Sequence, residues 1–159
     1  MIRVGVGYDT HPLVEGRALV VGGVYISHSK GLAGHSDSDV LVHALIDAML
    51  GAAALGDIGA HFAPSDPRFK DADSLGFLRE TARLLSERRW LVSNLDATII
   101  AQEPHLAPYV QEMRATLGRV LKLDVSQVSV KGKSTNGLGF EGRQEGIAAL
   151  AVVLIESTP

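Results

Sequence analysis

Near its C-terminal end the chain carries "IAALAVVLI", residues 147–155, its longest uninterrupted apolar run. The run falls far short of the roughly 20 residues that cross a bilayer. Its side chains are apolar at odd and even positions alike, so as a strand it has no face suited to water. Such a strand belongs in the middle of a sheet, and the rest of the chain must supply flanking strands and a helical layer. The N-terminus offers one flank: Ile2, Val4, Val6 and Tyr8 alternate with Arg3, Gly5, Gly7, Asp9 and His11. That is the period of a strand with one buried face, here expected to be the even-numbered side. The strand is expected to end at Asp9 and His11, behind two glycines that clear space.

Between these strands the punctuation is regular. "RALVVGGVYI" predicts a short hairpin bent at Gly22-Gly23. "GLAGHSDSD" is a loop whose Ser and Asp residues suit the N-cap of an apolar helix from about Val40 to Leu55, closed by Gly56. "GDIGAHFAPSDPRFKDADS" is a long irregular segment of the kind that forms active-site loops. Leu75, Leu78, Ala82 and Leu85 mark a second helix, and Leu95, Ala97, Ile99 and Ala101 a further strand. Pro108 opens a third helix with the stripe Val110, Met113, Leu117 and Val120, and "VSVK" is a short strand. The expected fold is α+β, a single mixed sheet with helices packed on one face.

The 159 residues, 46% of them apolar, suit one domain over 1–159 that buries about 70% of its unfolded surface. A net charge of −3 argues against nucleic acid as a partner. There is no cysteine, so any metal must rest on His, Asp or Glu. Asp9 and His11 come too early for a signal peptide, which makes a cytoplasmic protein without membrane attachment the expectation.

Five of the six histidines (His11, His28, His35, His43 and His61) fall in the first 61 residues. Asp9 and His11 share a strand face roughly 7 Å apart, and a hydrogen-bonded pair would account for them as well as a metal would. Asp39, His43 and Asp47 form an i, i+4, i+8 stripe on a helix otherwise apolar almost all round. A solvated stripe is the plain alternative, but on a buried helix these groups need partners. If strand and helix meet, Asp9, His11 and His43 supply three ligands and leave a fourth position open, the pattern of a catalytic zinc site. Asp47 is then placed to orient an imidazole from behind.

"VKGKSTNGLGFEG" collects Lys131, Lys133, Ser134, Thr135 and several glycines, suited either to a phosphate cradle or to a flexible turn. Two motif matches fail in context. Gly132-Lys133-Ser134 resembles the end of a P-loop, but the required first glycine is Gln127. Gly137, Gly139 and Gly142 satisfy G-x-G-x-x-G, yet a strand follows where a helix is needed. Arg143 and Glu145 read as an ordinary salt bridge.

Taken together, "GYDTH", "HSDSDVLVHALIDAMLGAAALGDIG" and "LGFEGRQEGI" resemble the 2-C-methyl-D-erythritol 2,4-cyclodiphosphate synthases of the non-mevalonate route to isoprenoids. The resemblance spans nearly the whole chain. It implies a phosphorus–oxygen lyase that turns 4-diphosphocytidyl-2-C-methyl-D-erythritol 2-phosphate into the cyclic diphosphate and CMP. Asp9, His11 and His43 match zinc ligands. A second ion, magnesium or manganese, is held largely by substrate phosphates. His35 and Ser36 match phosphate-holding residues, and Asp57 and Gly59 match contacts to the cytidine ribose. Ala101, Pro104, Leu106 and Ala107 match the cytosine pocket, while Gly132, Lys133, Ser134 and Asn136 lie on the loop that grips the nucleotide phosphates. The resemblance also implies a homotrimer with active sites between subunits. Its axial cavity, near Phe140, Arg143 and Glu145, can hold an isoprenoid diphosphate.

Against the usual family pattern, Asn136 replaces the glutamate at the second metal and Lys133 replaces a threonine. Ser38 stands for a glycine, Pro64 for a loop aspartate while Asp66 is retained, and His105 for a frequent lysine. An amide at Asn136 ligates magnesium without charge, so weaker binding is expected there. Two other outcomes stay open on these residues: a nucleotide-binding trimer without turnover, and a zinc hydrolase on the same scaffold.

Overall fold

The computed structural model describes residues 1–159. Strands β1 (Ile2–Glu15), β2 (Leu19–Val21), β3 (Val24–Ile26) and β4 (Lys30–Leu32) come first. Helices α1 (Val40–Ala52), α2 (Ile58–His61) and α3 (Ser74–Glu87) follow, then β5 (Trp90–Ile100), α4 (Val110–Leu121), β6 (Val128–Lys133), α5 (Gly139–Gly142) and β7 (Gly146–Ser157). The main sheet has five strands in the order β4-β1-β7-β5-β6. It is mixed: β7 runs antiparallel to both β1 and β5, while β5 and β6 are parallel. The apolar C-terminal run thus takes the central place its composition demands.

The predicted hairpin forms, but as a separate two-stranded ribbon rather than as part of the main sheet. Its bend is held by Asp39, the N-cap of α1, whose carboxylate accepts from Gly22 N (2.8 Å), Gly23 N (2.7 Å) and Val42 N (3.1 Å). Burial pushes this carboxyl up to about 6 despite the Gly23 N–H bond, with Asp37 adding to the rise. Removing the side chain would leave three backbone donors short of a partner, at about 1–3 kcal/mol for each that stays buried.

Two expectations about β1 are corrected. The strand does not stop at His11: its pairing with β7 ends at Pro12 opposite Gly146, and Leu13–Glu15 continue against β4. The buried side is also the opposite one. Ile2, Val4, Val6 and Tyr8 are 65%, 66%, 65% and 52% exposed, whereas Gly5 and Gly7 face α1. The reason is contact distance. A Cβ on Gly5 would sit 1.9 Å from the Ala48 carbonyl oxygen, and one on Gly7 1.9 Å from that of Ala44. Glycine on the strand and Ala44, Ala48 and Ala52 on the helix let two backbones touch, so the glycines mark the core side. The core between sheet and helices includes Leu41, Leu45, Ile46, Met49, Leu78, Leu95 and Ile99, together with the odd-numbered residues Ile147 to Ile155 of β7.

The sheet's other face carries no helix. There Val4, Val6 and Tyr8 pair across the strands with Leu154, Val152 and Leu150, a row of apolar neighbours open to solvent in the single chain. Beside it the face turns polar, with Lys131 on β6 paired to Asp96 on β5.

Candidate metal centre and cavities

The spacing of β1 against α1 explains why distant residues converge. Two residues of strand advance roughly 6.6–6.8 Å, and four residues of helix about 6 Å. Gly5 lies against Ala48 and Ala52, and Gly7 one step on against Ala44 and Ala48. The next residue on that face, Asp9, therefore meets the first turn of α1, where His43 stands.

Asp9 Oδ2 lies 2.9 Å from His11 Nε2 and 3.2 Å from His43 Nδ1, and the two ring nitrogens are 3.2 Å apart. A four-coordinate ion with bonds of about 2.0–2.1 Å has its ligand atoms about 3.3 Å apart. The three atoms already stand near that separation, and Asp9, His11 and His43 can hold a metal ion. The outer nitrogen of each imidazole is occupied. His11 Nδ1 donates to the Ala33 carbonyl (2.9 Å), and His43 Nε2 lies 2.8 Å from Ser74 Oγ and 3.3 Å from Ser36 Oγ. Burial is the largest single influence on Asp9 and His11 and opposes charge on both, but their mutual hydrogen bond, their mutual attraction and the neighbouring hydrogen bonds together outweigh it. With His43 contributing, Asp9 falls to about 2, and His11 is raised.

Asp47 does not orient an imidazole. Its carboxylate accepts from Ile58 N at 2.7 Å and so anchors the start of the long loop. The role expected of it falls to Ser74, at the start of α3, which no spacing rule links to His43 across 31 residues. Asp37 accepts from Ser74 N (3.0 Å) and from the Ser74 hydroxyl.

A cavity of about 210 Å³ opens beside Asp9, His11 and His43, lined by His35, Ser36 and Gly59 on the polar side and by Ile58, Phe62, Pro64, Phe69 and Phe77 on the other. The Phe62 and Phe77 rings stack 4.5 Å apart, an aromatic wall missed at the level of sequence. His35 Nε2 donates to the Asp66 carbonyl at 2.9 Å, so Asp66 meets the site through its backbone while its carboxylate binds Arg68. Ser36 Oγ accepts from Ser38 N (3.1 Å), which leaves its hydroxyl proton free to donate. Asp57 caps α2 by accepting from Ala60 N and is not among the residues lining this cavity.

A second cavity, about 510 Å³, is lined by Ala101, Pro104, His105, Leu106, Ala107, Gly132, Lys133 and Ser134, among others. Lys131 is tied to Asp96, so Lys133 is the ammonium free to meet an anion there. Asn136 is exposed at φ 55°, with Ser134 Oγ 3.5 Å from its amide oxygen, and lines neither cavity. Phe140 and Arg143 also lie outside both, with Arg143 bound to Glu145 at 2.8 Å. The two cavities share no lining residue. Within one chain, the residues matched to metal and to cytosine are therefore not brought together.

The sequence pattern of the YgbB family matches residues 2–156. The chain is 59% identical over 155 residues to the 2-C-methyl-D-erythritol 2,4-cyclodiphosphate synthase of Syntrophomonas wolfei, covering 98% of this chain and 99% of that one. It is 58% identical over 154 residues to the synthase of Moorella thermoacetica, covering 97% and 94%. Among solved structures, a 2C-methyl-D-erythritol-2,4-cyclodiphosphate synthase in its CDP-bound form superposes with a TM-score of 0.89 at 36% identity, covering 97% of this chain and 100% of that one. The bifunctional IspDF of Campylobacter jejuni gives a TM-score of 0.96 at 40% identity, with 99% of this chain matching 43% of that longer one. With its fold and nearly its whole length in common with them, this chain belongs to the YgbB family, the 2-C-methyl-D-erythritol 2,4-cyclodiphosphate synthases.

Proposed function

We propose that this chain converts 4-diphosphocytidyl-2-C-methyl-D-erythritol 2-phosphate into 2-C-methyl-D-erythritol 2,4-cyclodiphosphate and CMP. An oxygen of the 2-phosphate attacks the β-phosphorus, and the bond from that phosphorus to the bridging oxygen breaks as CMP leaves. The observation that carries this reading is the convergence of Asp9 Oδ2, His11 Nε2 and His43 Nδ1 beside His35 and Ser36. Phosphoryl transfer asks a protein mainly for positioning and charge neutralisation, so no side-chain nucleophile is needed.

Two nitrogens and one carboxylate oxygen favour zinc over magnesium or calcium, which prefer all-oxygen sites. Zinc held there supplies Lewis-acid polarisation of a phosphate oxygen. Magnesium or manganese would be held largely by the substrate's own phosphates, with the Asn136 amide oxygen as the group this chain would add. The chain's own groups do the rest. Ser36 donates its free hydroxyl proton to a phosphate oxygen, and His35 turns its ring toward the cavity with Nε2 tied to the loop. Lys133 and Ser134 face the nucleotide phosphates. Ala101, Pro104, Leu106, Ala107 and Gly132 form the walls for cytosine, and Asp57 and Gly59 meet the ribose.

The two half-sites fit a homotrimer in which neighbouring subunits complete each site. The apolar row Val4, Val6, Tyr8, Leu150, Val152 and Leu154 supplies a surface for that contact. An axial cavity near Phe140, Arg143 and Glu145 would suit an isoprenoid diphosphate. No helix is long and apolar enough to cross a membrane.

Phosphorus NMR of the zinc-loaded protein with the diphosphocytidyl substrate and magnesium or manganese tests the activity. A cyclic diphosphate appearing with CMP supports it. Unchanged substrate under conditions where CDP binds would replace it with a nucleotide-binding module, and release of inorganic phosphate with a hydrolase.

A further inference from the structure

The environment of His43 holds more information than its place among the ligands. Its Nδ1 faces Asp9 and His11, so this is the nitrogen that must present a bare lone pair to a metal. That requires the proton to sit on Nε2, and a histidine alone does not favour this arrangement enough to guarantee it. The partner of Nε2 is Ser74 Oγ at 2.8 Å, on a side chain with no solvent exposure. A hydroxyl can either donate or accept, so Ser74 by itself would leave the question open.

Asp37 closes it. One of its oxygens accepts from Asp39 N (3.1 Å) and from the Ser74 hydroxyl, and the other accepts from Ser74 N at 3.0 Å. In each of these bonds Asp37 is the acceptor, and both of its oxygens are engaged. The Ser74 hydroxyl proton is therefore committed to Asp37, and only lone pairs remain for His43. We infer that Ser74 and Asp37 are positioning residues that fix the His43 proton on Nε2 and so hold Nδ1 ready as a metal ligand.

The trio contains the residues of a hydrolytic triad, but its polarity is reversed. The serine proton points to the aspartate, away from the histidine, and the serine oxygen is sealed from solvent, so Ser74 is no nucleophile. Ser36 Oγ, 3.3 Å from the same nitrogen, is a weaker second acceptor. The inference rests on the metal reading of Asp9, His11 and His43, and its test separates the two.

Zinc affinity, measured by competition with a chromogenic chelator, should fall about 10- to 100-fold in Ser74→Ala, the range seen when a group behind a metal-bound histidine is lost. Histidine-selective nitrogen-15 NMR of the zinc-loaded protein gives the second readout. In the unaltered chain the His43 Nε2–H should exchange slowly with water, and in Ser74→Ala it should exchange fast. The His11 Nδ1–H, bonded to Ala33, serves as an internal control and should not change. Asp37→Ala frees the Ser74 hydroxyl to donate toward His43, so it should weaken zinc binding when Ser74 is present and add little in the Ser74→Ala background. Should Asp37→Ala not fold, the Ser74→Ala measurements decide alone. Undiminished zinc affinity with a still-protected His43 N–H, or additive losses in the double variant, would overturn the assignment. An unaltered chain that takes up no zinc would overturn the metal reading and this assignment with it.

Discussion

Gly7 and Ala44 are in backbone contact: a Cβ placed on Gly7 would lie 1.9 Å from the Ala44 carbonyl oxygen and 2.7 Å from Ala48 N. Backbone atoms at that range cannot rotate aside as a side chain would. Gly7→Ala must therefore lift α1 from β1, and overpacking of a core typically costs about 1–3 kcal/mol. Because the obstacle is backbone, the upper end is expected. The same shift draws His43 away from Asp9, so zinc affinity should drop along with stability. Urea unfolding of the metal-free chain and chelator competition on the folded variant measure the two effects separately. A variant as stable as the parent would contradict the close approach.

Asp9 and His11 also predict an opposite pH response with and without metal. In the metal-free chain, His11 is raised, so its contribution to stability is complete below its unfolded value of about 6.5 and fades as pH climbs through the raised value. Asp9, lowered to about 2, contributes above its unfolded value of about 3.8 and fades as pH falls toward 2. The pair should thus stabilise the metal-free chain most between about pH 4 and 6.5. Zinc binding needs the inner nitrogens bare, so its affinity should rise as pH passes upward through the His11 range. Melting temperatures of both forms from pH 5.5 to 8, with chelator competition at each pH, check this. Parallel pH profiles for the two forms would contradict it.

Asn136 offers an amide oxygen where the usual pattern of the family has a glutamate. Magnesium affinity depends on the charge of its oxygen ligands. Asn136→Glu should lower the magnesium or manganese concentration that half-saturates turnover, and Mn²⁺ bound with CDP should be detected by paramagnetic resonance at lower total metal. Zinc content should stay as it is, since the residue lines neither cavity. Equal half-saturation in both proteins would show that the position does not reach the second ion.

Val6 and Val152 face each other on the bare side of the sheet, 65% and 39% exposed in the single chain. If that side packs against other copies, a charge there meets an apolar surface with no partner. Sedimentation of the parent should give three times the 16.9 kDa chain mass, and Val6→Asp should shift it toward monomer. Turnover should fall in parallel, because each site then lacks its neighbour. A Val6→Asp chain that stays trimeric would place the contact elsewhere.

Much of this architecture is legible in local pattern. Period and punctuation reveal the helix from Val40, the central strand at Ile147–Ile155 and the hairpin at Gly22-Gly23, because helix and strand repeats depend on near neighbours. The candidate metal ligands Asp9, His11 and His43 are legible too, as polar groups on elements otherwise committed to burial. What needs the tertiary structure is everything set by contact between distant segments. The sequence alone points to the apolar side of β1 as buried, yet the glycine side is buried, since the approach of Ala44 and Ala48 leaves no room for a side chain. Asp47 has the right helical spacing to support His43, but the start of α2 claims its carboxylate first. Ser74 and Asp37 carry no local signal, because a hydrogen bond across 31 or 37 residues depends on how α3 docks. Sequence by itself determines which groups are available for chemistry; packing decides which of them meet, because hydrogen bonds and metal ligation act only at contact range.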